Sequence, residues 1–84
     1  MSNCWAIVTG EYPPQLGGVS DYTRLVADAL VAAGDEVHIW APALDSAGQL
    51  ETVTHERGIT VHRLPDHFGR HGIAALDKGL RQLP

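Results

Sequence analysis

Apolar and polar positions along this chain follow two different periods. Cys4-Trp5-Ala6-Ile7-Val8 is a short unbroken apolar run, which predicts a strand over 4–9 covered on both faces. Gly10 ends it, and Pro13-Pro14 keep the next residues out of the helical basin. From Ser20 to Ala33 the period becomes helical. Tyr22, Leu25, Val26, Ala29, Leu30 and Ala33 make one apolar stripe, and Asp21, Arg24 and Asp28 fall on the other side. Ser20 reads as the N-cap of this helix and Gly34 as its C′ residue. Glu36 to Ala41 predicts a second strand, with Val37, Ile39 and Ala41 facing one way and His38 and Trp40 the other.

The second half of the chain is less regular. Residues 42–50 carry Pro42, Asp45, Ser46 and Gly48 and read as a loop. Thr52-Val53-Thr54 predicts a minor strand, and Ile59 to Leu64 a third main strand. The third strand's mixed alternation places it nearer the sheet edge than the first two. Ile73 to Leu83 predicts a second helix with Ile73, Leu76, Leu80 and Leu83 on one face; Gly79 weakens it by about 1 kcal/mol relative to alanine. The order predicts an α/β chain: a Rossmann-like open parallel sheet in a β-α-β-β-α arrangement.

Composition narrows the function classes. Eighty-four residues allow one small domain, which buries only about 60–65% of its unfolded surface. The formal net charge of −4 argues against nonspecific nucleic-acid binding, which needs a basic footprint. The first apolar run is too short for a signal peptide or a membrane span. Cys4, the one cysteine, reads as a small core residue, and its lack of a partner fits a reducing cytoplasm.

The segment Gly10-Glu11-Tyr12-Pro13-Pro14-Gln15-Leu16-Gly17-Gly18 carries the chemistry. It joins a strand to a helix, where parallel sheets collect their ligands. Glycines there let the backbone approach a bulky anion, and the first amides of the helix point at it. A flexible turn with no ligand is the plain alternative. The segment is not the dinucleotide fingerprint, which needs a tight Gly-x-Gly-x-x-Gly turn and an acidic residue closing the second strand; Ala41-Pro42 stand there instead. It is not a Walker A loop either, because no Gly-Lys-Ser/Thr follows.

Together with Val19, Tyr22-Thr23, Leu25, Ala29-Leu30 and Gly34-Asp35-Glu36-Val37-His38, this segment is similar to the opening of family 4 glycosyltransferases of the GT-B fold. Gly58-Ile59-Thr60-Val61-His62-Arg63-Leu64-Pro65 resembles their third strand, and Asp35 departs from the histidine common at that position. The resemblance implies that residues 1–84 are an N-terminal, acceptor-side, Rossmann-like subdomain whose C-terminal donor-binding domain lies outside the chain. It implies sugar transfer from a nucleotide-diphosphate sugar to a carbohydrate or lipid-linked hydroxyl acceptor, with retention of configuration. The backbones of Gly17, Gly18 and Val19 would bind the donor diphosphate, and Glu11 and Tyr12 would flank the acceptor side. No cofactor and no metal are implied beyond the co-substrate. No catalytic residue is expected within the chain, since the family's Glu-x7-Glu pair and its histidine fall after Pro84; this piece alone is expected to be inactive.

Five histidines remain. His67 and His71 are four apart but sit among glycines without a third ligand, so loop histidines are the better reading than a metal pair. His38 and His62 read as pleat-facing packing residues. Arg70, Lys78 and Arg81 form a basic run of the kind such enzymes set against the inner face of the membrane, but Asp66 and Asp77 dilute it and favour a solvated helix face. The expected setting is cytoplasmic, with the missing C-terminal domain or a second copy as partner for the open sheet edge. Two rival functions stay open: a nucleotide-cofactor enzyme such as an oxidoreductase or epimerase, and a noncatalytic interaction module.

Overall fold

Four strands and two helices form in the order β1 (Cys4–Val8), α1 (Gly18–Ala32), β2 (Glu36–Pro42), β3 (Thr52–Glu56), β4 (Ile59–Leu64) and α2 (Arg70–Arg81). The computed structural model describes residues 3–14, 17–43, 52–64 and 69–83. The strands make one sheet in the order β1-β2-β4-β3. β1, β2 and β4 run parallel, whereas β3 pairs antiparallel with β4. The chain is therefore α/β with a mixed open sheet, not the all-parallel sheet expected.

The mixed sheet comes from a hairpin that the sequence reading missed. Thr52-Val53-Thr54-His55-Glu56 alternates against Ile59-Thr60-Val61-His62-Arg63, joined by Arg57-Gly58 alone. Both turn residues take positive φ, 53° and 80°, as a two-residue hairpin of the primed type requires. Arg57 also reaches Asp28 on α1 at 3.0 Å. With β3 outside it, β4 lies in the sheet interior. The edge position expected for this strand belongs to β3 on one side and β1 on the other.

One face of the sheet carries the main core. Val37, Ile39, Ala41, Ile59 and Val61 meet Ala27 of α1 and the ring of Tyr12, all fully buried. α1 touches this face through Ser20, Thr23 and Ala27, small residues that let it lie close. Much of the apolar stripe thus turns away from the core: Tyr22 and Leu25 are 70% and 68% exposed. Their side of the helix borders an apolar hollow of about 340 Å³ lined by Trp5, Ile7, Tyr22, Thr23, Val26 and Leu30. The hollow runs beside β1, whose Trp5 and Val8 are exposed at the free edge. Cys4 is half-buried there instead of lying in the core.

The opposite face is built from rings. His38, Trp40 and His62 stack, with the Trp40 and His62 centroids 4.3 Å apart and their planes 4° from parallel. α2 covers Trp40 through Gly79, where a Cβ would fall 2.9 Å from the indole nitrogen. The glycine that weakens the helix on propensity is thus a point where the helix packs close against the sheet. Ile73 and Leu80, expected on the buried face, are exposed, while Gly72 is buried. Among the described residues the Trp40 indole N–H is buried without a hydrogen-bond partner. No helix among them is long and apolar enough to cross a membrane.

The turn after α1 anchors β1. The amides of Gly34 and Asp35 return to the carbonyls of Val31 and Leu30, closing the helix as its C′ glycine predicts. The Asp35 carboxylate accepts from the Asn3 amide at 3.0 Å and the Trp5 indole at 2.9 Å. These bonds, the Asn3 amide first, hold its pKa below the ordinary 3.8. A depressed carboxyl pKa contributes stability above its unfolded value and loses it as pH falls through the folded one. Asp35→Asn is therefore expected to lower the urea midpoint at neutral pH. The gap to the parent should narrow below about pH 4; a gap independent of pH would contradict the anchoring role.

Candidate functional site

The loop between β1 and α1 lies at the carboxyl ends of the parallel strands, and its shape is set by three anchors. Thr9 pairs its amide with the Trp40 carbonyl at 3.0 Å, and its hydroxyl donates to the Glu11 carbonyl at 2.9 Å. Tyr12 drives its ring into the core, at 1% exposure. Arg63, buried at the end of β4, donates to the carbonyls of Pro42 at 3.2 Å and Tyr12 at 3.3 Å, and also to that of Pro13. Its guanidinium lies 5.7 Å from the centre of the Tyr12 ring. Burial, above all, lowers the Arg63 pKa, against the pull of Glu56. It remains a cation under the loop, since guanidinium does not deprotonate in proteins. Sequence reading saw Arg63 only as part of a strand; its position two residues before Pro65 offers no signal of this task.

These anchors aim Glu11 at the start of α1. Its Oε1 accepts from the Ser20 amide at 2.9 Å. Gly17 is the N-cap, so Ser20 is the third helical residue and not the cap expected from sequence. The carboxylate replaces the missing side-chain cap, supplying negative charge where the helix dipole favours it. Gly17 is required for this geometry. Its φ of 155° and ψ of 163° lie in a region reserved for glycine, and a Cβ would fall 2.2 Å from Glu11 Oε1.

The expected diphosphate residues are thus brought together. Gly17, Gly18 and Val19 are exposed, and among the described residues their amides have no hydrogen-bond partner. A Cβ at Gly18 meets nothing within 4 Å. The first turn of α1 offers three open N–H groups beside one already holding a carboxylate. Glu11 and Tyr12, expected to flank an acceptor, have structural tasks here: one caps the helix and the other fills the core. The apolar hollow is elsewhere, on the flank of α1 toward β1.

The remaining candidates separate. His38 and His62 face each other across adjacent strands, with Nδ1 and Nε2 3.1 Å apart. His67 and the side chain of His71 lie outside the described residues, but the backbone of His71 is in the first turn of α2 and not in the loop expected. In the basic run, Arg81 pairs with Asp77 at 3.0 Å, one turn along an exposed helix face.

The Glu11 cap generates a prediction. Gly17→Ala should displace the carboxylate and strain the backbone, costing about 1–3 kcal/mol in urea unfolding. In a Glu11→Ala background the same change should cost less, because the clash is gone and only strain remains; strictly additive costs would contradict the contact. Compared with family models, curated proteins and solved structures, the chain matches none of them.

Proposed function

We propose that this chain is the acceptor-side opening of a GT-B glycosyltransferase, and that the N-terminus of α1 holds the diphosphate of a nucleotide-sugar donor. The observation that carries the reading is the set of open amides at Gly17, Gly18 and Val19. They lie at the carboxyl end of a parallel strand pair, on a helix whose next amide already holds a carboxylate. Helix N-termini of this kind take phosphate by amide donation and by the dipole. Donors fixed where charge develops on a leaving diphosphate lower the barrier without reorganising. Arg63 adds a fixed cation beneath the same loop.

The sheet supports the companion proposal of a Rossmann-like domain. β4, β2 and β1 are parallel neighbours in that spatial order, and β1 keeps a free edge with an apolar flank. Further parallel strands would continue the sheet from there, covering Trp5 and the stripe of α1. The nine-residue span between Val8 and Gly18 is long for a dinucleotide turn, which weighs against the oxidoreductase or epimerase alternative. The acceptor class, the donor domain and a cytoplasmic setting belong to the same proposal.

Gly18→Val is the direct test, because its side chain has open space and the fold should survive. In the protein carrying this segment, sugar transfer should fall about 10²-fold, as when one donor to developing negative charge is lost. Calorimetry should show weakened binding of the nucleoside-diphosphate sugar and no response to NAD(P). Unchanged transfer would remove the loop from the site, and tight NAD(P) binding would favour the dehydrogenase class.

A further inference from the structure

A second cluster lies on the ring-bearing face, away from the glycine loop. Cys4 of β1 and Glu36 of β2 are register partners, and His38 follows Glu36 by two residues on the same strand. Pleating therefore turns all three side chains to one face. Cys4 Sγ lies 3.8 Å from Glu36 Oε2, and Glu36 Oε2 lies 2.6 Å from His38 Nε2. One donor atom from each residue falls within 4.8 Å of the others. Sulfur, carboxylate oxygen and imidazole nitrogen form a mixed set that suits a borderline-soft divalent ion.

His38 also has a partner behind it. His38 Nδ1 is 3.1 Å from His62 Nε2 on β4. The His62 ring is held by its stack on buried Trp40. A metal-bound imidazole characteristically donates its other N–H to such a partner, which fixes tautomer and ring orientation. The Cys4 S–H donates to the Glu36 carboxylate.

We propose that Cys4, Glu36 and His38 form a three-ligand site for a zinc-like divalent cation, with His62 as the positioning residue behind His38. On binding, the Cys4 S–H proton leaves to solvent and a metal–sulfur bond forms. His38 changes tautomer by exchange with solvent: its Nε2 proton is lost to water, the freed lone pair goes to the metal, and the proton gained from water at Nδ1 is donated to His62 Nε2. Metal bonds of about 2.0–2.3 Å set tetrahedral donor pairs about 3.3–3.8 Å apart. The Cys4–Glu36 pair already has that spacing, and the Glu36–His38 pair needs to open by about 1 Å, which an exposed glutamate permits. A fourth position stays toward solvent beside the free edge of β1. The site is independent of the donor reading and stands or falls separately.

The test titrates the whole chain with Zn²⁺ by calorimetry and with Co²⁺ by absorption. One ion per chain should bind, with a thiolate-to-cobalt charge-transfer band. Cys4→Ser should abolish the band, and Cys4→Ser and His38→Gln should each weaken binding at least about tenfold. His62→Phe, which keeps a ring on Trp40, should weaken binding about 10–100-fold and leave the band. Because Cys4 is the sole cysteine, Zn²⁺ should also slow alkylation of the unsubstituted chain, a readout that needs no variant to fold. No binding, no protection of Cys4, or binding that survives Cys4→Ser and His38→Gln but not loss of His67 and His71 would overturn the proposal.

Discussion

The carboxylate of Glu11 on the first turn of α1 is the contact around which this end of the molecule is arranged. A helix start leaves amides without partners, and here no residue of the helix itself caps them. The chain solves this from outside, by folding a nine-residue loop back until a glutamate nine positions upstream reaches the Ser20 amide. That solution imposes the rest. Gly17 must lack a side chain, Thr9 must hold the Glu11 backbone, and Tyr12 and Arg63 must fix the loop against the core. The cap satisfies one donor, and among the described residues the amides of Gly17, Gly18 and Val19 have no partner. The same geometry that stabilises the helix therefore sets these amides beside a carboxylate that would compete with any anion.

The sheet divides the molecule into two chemistries. Toward α1 it is aliphatic, closed by Tyr12 and by small helix residues. Toward α2 it carries imidazole, indole, carboxylate and thiol groups. Strand pleating alone produces this division: Val37, Ile39 and Ala41 alternate with Glu36, His38 and Trp40 along β2. β1 lies at the boundary of what is covered. Its residues are as apolar as a buried parallel strand requires, yet Trp5 and Val8 are exposed. A strand composed for burial but standing at an edge is the mark of a sheet suited to extension.

Much of this was legible in the residues. Both helices, the main strands, the C′ glycine at position 34 and the two faces of β2 follow from period and breakers. Period and capping start the first helix at Ser20, two residues later than Gly18, because glycine and valine carry no sequence signal of a cap supplied from Glu11. Other features depended on tertiary geometry. Arg57-Gly58 is a hairpin signal only once the residue before glycine is allowed a positive φ. The helix stripe named the apolar residues of α1 but not which half would touch the sheet, because small Ser20, Thr23 and Ala27 allow the closer approach. Propensity alone makes Gly79 a weak point of α2, although its use is to admit Trp40. Glu11 and Arg63 could not be read from spacing: each acts on atoms distant in sequence. The Cys4, Glu36 and His38 cluster needs the register between β1 and β2, which no single strand reveals.

The anion site proposed at the first turn of α1 is bounded by the Glu11 carboxylate. It is tested most directly by amide ¹H–¹⁵N spectra of the chain titrated with pyrophosphate. The account predicts that the Gly17, Gly18 and Val19 resonances move together in the parent protein, and that Ser20 joins them only after Glu11→Gln frees its amide. Resonances that stay still at 17–19, or that move in a different part of the sheet, would contradict it.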